Sequence, residues 1–262
     1  MHHLTKAAFG SAALLLTLAL YPTAPAAAAP AAAAPTCEGF AATIVAQPNV
    51  PTVGTAGDDV IVGSDARDII SAGAGNDRIC TFGGNDNVNG EAGADRIFAG
   101  AGTDFLLGGA GDDLIDAGDD RDTVRGGPGS DFILGGNQDD TIIDGDSVGE
   151  FVLGNGGNDT ILVDGAGSGD IYEGDDGNDT IRIVSGVNHN LLDGGPGDDV
   201  LEGGPGNDVL AGGVDNDTLR GFAGNDTIAC DTLGQPQGVA DVGDGGTGTD
   251  SFLGCETIID QP

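Results

Sequence analysis

The chain has 262 residues, 50 of them Gly, and sets 43 Asp and Glu against 8 Lys and Arg, for a net charge of −35. Gly does not fall at every third residue, which excludes a collagen helix, and so negative a chain excludes nucleic acid and anionic lipid as partners. With no Trp and 4% aromatic residues a core built on rings is excluded too, yet 39% of residues are apolar and they recur at fixed intervals.

Residues 1–6 are short and carry Lys6, residues 7–20 (AAFGSAALLLTLAL) are apolar, and residues 23–35 form an Ala/Pro tract with several small-x-small cleavage options. This is the layout of a secretory signal peptide. The apolar run of 14 residues is shorter than the about 20 that cross a bilayer, so no membrane span is expected. Ala34-Pro35-Thr36-Cys37 also lacks the small residue that stands before a lipoprotein cysteine. Residues 1–36 are read as signal peptide and Ala/Pro tract, with cleavage between 26 and 36, and the mature chain as secreted. Residues 37–53 are expected to form an N-terminal cap.

From residue 54 the chain repeats. Asp59, Asp68, Asp77, Asp86, Asp95, Asp104, Asp113, Asp122, Asp131 and Asp140 stand nine residues apart, and two places after each comes an aliphatic residue, from Ile61 to Ile142. After 143 the register slips near 144, 163–164 and 183–184. The series then continues through Asp159, Asp170, Asp179, Asp199, Asp208, Asp217, Asp226 and Asp250, with Glu150 and Asn190 as weak members. The cleanest units are GGAGDDLID (108–116), GGPGSDFIL (126–134), GGPGDDVLE (194–202) and GGPGNDVLA (203–211). Six small residues suit a tight turn, and the last three suit a short strand with one inward side chain. Two units complete a coil, so unit n stacks on unit n+2 at about 4.8 Å. Stacking aligns the aspartates in two columns, which repel unless cations lie among them. Carboxylates with turn carbonyls make an all-oxygen donor set for a hard cation of six to eight ligands, which favours Ca²⁺ over Mg²⁺. Ten to eighteen such ions would supply about +20 to +36 against the net charge of −35.

The unit GGxGxDxUx resembles the RTX (repeat-in-toxin) nonapeptide, whose link to a calcium-binding parallel β-helix is a general sequence rule. The resemblance covers 54–229 and 245–253. It implies an all-β, right-handed parallel β-roll over 54–229, with calcium held by the eighteen aspartates and turn carbonyls. Residues 230–262 are read as an insertion (230–244), a last repeat and a C-terminal cap; Glu150, Asn190 and the insertion depart from the family pattern.

Cys37, Cys80, Cys230 and Cys255 form an even set in an exported chain, which favours disulfides over zinc. Three pairings are open; two cysteines lie near each end of the repeats, which favours Cys37–Cys80 and Cys230–Cys255. Asn-Asp-Thr at 158–160, 178–180, 216–218 and 225–227 is a glycosylation acceptor in form, but the repeat alone generates it. Asp144-Gly-Asp146 opens like an EF-hand, yet lacks its later ligands and is read as an irregular turn. Position three reads Ala56, Asp65, Ala74, Gly83, Ala92, Ala101, Ala110 and so on, with Thr only at 247, so it offers no row of threonines for ice.

Outward positions of the middle units carry Phe98, Phe105, Leu107, Leu114, Phe132, Leu134, Ile143, Phe151 and Leu153. They offer a surface for a protein or cell-surface partner. No catalytic constellation stands out: His189 is the one histidine after the leader, and neither GxSxG nor HExxH occurs. The expected function is a secreted calcium-binding structural or interaction module, and not an enzyme. The alternative is an accessory chain of a secreted hydrolase or epimerase system.

Overall fold

An aliphatic residue two places after each acid gives every unit one inward side chain, and strand geometry turns its two neighbours outward. The computed structural model describes residues 34–145, 149–165, 167, 169–187, 189–231 and 241–261, so nearly all of the expected leader, 1–36, lies outside the described residues. Each triplet opens a strand, as in Val60–Val62, Ile69–Ala74 and Arg78–Cys80. Successive strands alternate between two 12-stranded sheets, so each hydrogen-bonds to the strand two units away. All pairing within both sheets is parallel: Ile97 lies between Ile79 and Ile115, and Leu106 between Val88 and Val124. Inward residues from Ile61 to Ile228 are buried and form one continuous core. The fold is an all-β parallel β-roll. Among the described residues no helix is long and apolar enough to cross a membrane.

The triplet predicts strands of three residues, but many run on for six, Phe105–Ala110 and Phe132–Asn137 among them. The extra length comes from inward glycines: Gly108 and Gly135 are buried and small enough to let the chain continue in register, pairing Gly109 with Glu91. The turns approach so closely that a Cβ on Gly93 would strike the Gly75 carbonyl. The slips at 144, 163–164 and 183–184 leave the core pairing intact, with Ile142, Ile161, Ile181 and Leu201 in line. There Asp144, Val163 and Ile183 stack at positions that are Gly in most other units.

Ile44–Val45 and Pro51–Val53 are the first strands of the two sheets, and Ser251–Leu253 and Thr257–Gln261 the last. Thr36–Cys37 pairs with Phe40–Ala41 against the outside of the first coils. Cys37 is bonded to Cys80 and packs with Val62. Glu38 pairs with Arg78 at 2.7 Å and Arg96 at 2.9 Å, and the Arg78 guanidinium lies over the Phe40 ring. The second disulfide is Cys230–Cys255, so the pairing expected from position is the one observed. The outward apolar residues divide between the two sheets: Phe105, Leu107 and Ile143 lie on one, and Phe98, Leu114, Phe132, Leu134, Phe151 and Leu153 on the other. On the second sheet Leu114, Phe132, Phe151, Ile171, Leu191 and Val209 run in one unbroken row.

Candidate metal centre

Each sixth-position Asp sits one residue before a strand, where the chain leaves its turn. In most units its backbone N–H donates to a side-chain oxygen of the acid one coil on, Oδ1 where that acid is Asp. In one column Asp59, Asp77, Asp95, Asp113 and Asp131 are joined this way at 2.7–2.9 Å. Asp68, Asp86, Asp104, Asp122 and Asp140 are joined likewise at 2.7 Å in the other. Across the first slip Asp140 donates to Asp159 at 2.7 Å and Asp131 to Glu150 at 2.8 Å, and the ladders run on through Asp159, Asp179, Asp199 and Asp217, and through Asp208, Asp226 and Asp250. Asp170 Oδ1 accepts from Gly149 and Glu150 instead.

One oxygen is thereby satisfied and the other is not. Oδ2 is buried without a hydrogen-bond partner in sixteen of the eighteen aspartates. The exceptions open the two columns. Asp68 has Oδ2 held by the Ser64 N–H and its Oδ1 unpartnered. Asp59 is held by Thr43 and by the Thr55 N–H and hydroxyl, and is the one carboxyl of the set with a lowered pKa. Burying a charged oxygen without a partner is costly, and the columns show it. Burial raises the pKa of Asp95 to about 6, of Asp104 and Asp113 to about 7, and of Asp122 and Asp217 to about 8. Neighbouring carboxylates add to the effect, while the backbone N–H bonds oppose it.

The surroundings of these oxygens are oxygen as well. A Cβ on Gly108 would strike Asp113 Oδ2 and come within 2.7 Å of the Gly126 carbonyl; Gly154 and Gly174 stand in the same relation to Asp159 and Asp179. The residue five places before the Asp is Gly in fourteen of the eighteen units and Ala72, Thr81, Ala99 or Ala117 in the others; where it is Gly it keeps that space clear, and carboxylate and carbonyl oxygens converge on it. Such a donor set, with no nitrogen or sulfur, fits a hard cation of high coordination number. A sequence profile described as the RTX calcium-binding nonapeptide repeat (4 copies) matches residues 53–81, 81–115, 107–142, 185–219 and 202–229, just over half of the chain. The chain belongs to this family. It is therefore a calcium-binding repeat protein with a β-roll fold. A search of curated proteins finds no match.

The RTX columns hold more acids than the nine-residue spacing reveals. Asp241 continues one of them: the Asp217 N–H donates to its Oδ1 at 2.8 Å, and the Asp241 N–H donates to Glu256 at 3.1 Å. Its unit lacks the Gly-rich turn, and Gly243 replaces the aliphatic residue, since a Cβ there would lie 2.9 Å from Cys255 Sγ. The signal was a shared gap of 24 residues, from Asp217 to Asp241 and from Asp226 to Asp250. Part of the insertion, 232–240, lies outside the described residues, as do Asp146, Ser147 and Val148. Asn190, by contrast, leaves both side-chain polar atoms unpartnered.

In many units the residue before the Asp forms a second ladder that runs the opposite way. Ala94 donates its N–H to Asn76 Oδ1 at 2.9 Å, Asn178 to Asn158 at 2.8 Å and Thr249 to Asn225 at 2.9 Å. The Asn-Asp-Thr triplets thus use their Asn side chains to splice turns.

Proposed function

We propose that this RTX chain is an exported protein whose roll assembles on calcium outside the cell, and that it serves as a structural or interaction module. The side-chain ligands are the column aspartates, with Asp59 and Asp68 the weakest members because protein donors already hold them. The observation that carries this reading is the row of buried, unpartnered Oδ2 atoms. Bound calcium would supply the positive charge these oxygens lack. The site exists only where coils stack, so binding free energy is also folding free energy. The apolar row from Leu114 to Val209 is the surface on which a protein or cell-surface partner would dock. Two disulfides and the leader-like N-terminus support an oxidising destination.

Far-UV circular dichroism of the chain, titrated with Ca²⁺ and with Mg²⁺ as control, tests the central claim. A coil-to-strand transition with calcium alone is expected. A spectrum already rich in strand after calcium removal at neutral pH would overturn it.

A further inference from the structure

The sheet that carries Phe132 already holds one docked segment. On its first coils lies the hairpin at 36–41, which sets Glu38 on Arg78 and Arg96 and packs the Phe40 ring against the Arg78 guanidinium. Leu114 follows Arg96 in the same outward row, so the apolar row that runs on to Val209 begins where the hairpin stops. Within it the Phe132 and Phe151 rings stack with centroids 5.2 Å apart, and Phe132, Leu191 and Val209 are exposed. Beside it runs a trough of about 780 Å³, lined by Phe98, Leu134 and the glycine row Gly100, Gly118 and Gly136, with Glu38 of the hairpin at its edge.

Charge on this face changes sign along the roll. The hairpin brings one acid to two bases, whereas the outward row beyond it holds acids that have no base. Asp116, Leu134, Leu153, Glu173 and Asp193 follow one another there, one coil apart. Asp116, Glu173 and Asp193 are half-buried and join none of the ion pairs of the described residues. An acid half out of water among Leu and Phe gains from a cation brought to it. A second copy of the chain, with 8 Lys and Arg to 43 acids, is a poor source of one, and an anionic partner would be repelled. The occupant must also follow a row spaced at about 4.8 Å. Side chains on one face of an α-helix recur about every 5.4 Å, close to that spacing, whereas those on one face of a strand recur about every 6.7 Å.

We propose that the row from Leu114 to Val209 and the trough beside it seat a basic amphipathic α-helix of another protein. Its apolar face lies along Leu114, Phe132, Phe151 and Ile171, with the stacked rings at the centre. Its Lys or Arg side chains reach Asp116 at one end and Glu173 and Asp193 at the other. Those acids lie about 14 Å and about 19 Å from Asp116 along the roll, the length of about ten to thirteen helical residues. The inference rests on the docking surface proposed above and adds the charge and shape of what docks there.

Fluorescence anisotropy on the full chain in calcium tests it, at physiological salt so that distant charges are screened. The probes are labelled helical peptides of about 18 residues, made of Leu, Ala and Lys with Leu on one face, with a scrambled peptide of the same composition and a Gln-for-Lys peptide as controls. The Lys peptide should bind with a micromolar Kd, about tenfold or more tighter than either control. Phe132→Ser should weaken it about tenfold, while Val200→Ser, at an outward position of the other sheet, should stay within about twofold. A Gln peptide that binds as tightly as the Lys peptide, and is lost in Phe132→Ser, overturns the basic partner and leaves the docking surface standing. Scrambled peptide binding as tightly as the Lys peptide, equal losses from Phe132→Ser and Val200→Ser, or no binding at all overturns both. Should Phe132→Ser fail to show strands by circular dichroism, Asp116→Asn with Glu173→Gln keeps the shape, removes two charges and carries the same tenfold expectation.

Discussion

The backbone N–H of Asp104 donates to Asp122 Oδ1 at 2.7 Å, while Asp122 Oδ2 is buried with no hydrogen-bond partner. One carboxylate thus splices coils with one oxygen and, in the calcium reading proposed above, offers the other to a cation. Asn can do the first job and not the second. Asp122→Asn is therefore expected to stabilise the calcium-free roll by about 1 kcal/mol or more, the scale of a relieved buried polar group. The same variant should need more calcium to reach its final stability. Circular dichroism of the metal-free chain against pH, and a calcium titration at neutral pH, check both parts: the metal-free variant should keep its strands to a higher pH than the parent, and strands lost at a lower pH would contradict the argument.

Acid should substitute for calcium. The folded-state pKa values in the two columns, about 6 for Asp95 and about 7 for Asp113 in one and about 8 for Asp122 in the other, lie above the ordinary carboxylate value of about 4. The calcium-free roll therefore binds more protons than the unfolded chain. This contribution to stability is fully present below about pH 4 and is lost as pH rises through about 8. Thermal melts of the metal-free chain should show a midpoint falling across that window. Saturating calcium should flatten the dependence, because metal and proton compete for the same oxygens. A metal-free midpoint that climbs with pH would refute this.

Glycines that look alike in the repeat should differ sharply in cost. A Cβ on Gly108 would strike Asp113 Oδ2 and crowd the Gly126 carbonyl, whereas a Cβ on Gly57 meets nothing within 4 Å. Gly108→Ala should lose about 1–3 kcal/mol, as overpacking does, and weaken calcium binding at Asp113. Gly57→Ala should stay within about 0.5 kcal/mol of the parent. Chemical denaturation in calcium distinguishes them, and equal losses at both positions would show that the cleared space has no role.

Much of this was legible because the β-roll writes its geometry into a period. Asp59 to Asp140 at intervals of nine, each with an aliphatic residue two places on, sufficed to lay out the strand order, the two columns and the core. The terminal disulfides followed from the placing of four cysteines. What the period hid lies where it breaks. Asp241 escaped notice because its unit has lost both the Gly-rich turn and the aliphatic residue, the latter to make room for Cys255. Asp144 read as part of an irregular turn, because only pairing with Val163 shows it to face inward. The outward apolar residues form one cluster along the chain but two faces in space, since successive units alternate between sheets. Phe105 and Phe132 thus belong to different surfaces.

The disulfides should hold the ends and leave the middle alone. Cys37–Cys80 spans 43 residues and Cys230–Cys255 spans 25, and loop-closure entropy assigns them about 4 and about 3.5 kcal/mol. In a stacked roll each coil touches only its neighbours, so the loss stays local. Replacing Cys37 and Cys80 with Ala also frees Glu38 from its seat on Arg78 and Arg96. Hydrogen exchange in calcium should then show lost protection across the first strands, Val60–Val62 and Arg78–Cys80, with Phe132–Asn137 and Phe151–Gly156 unchanged. The Cys230/Cys255 double variant should show the converse, with protection lost only toward Ser251–Leu253. Uniform loss along the whole chain in either variant would mean that the roll unfolds as one cooperative unit, and that the staples act on all of it.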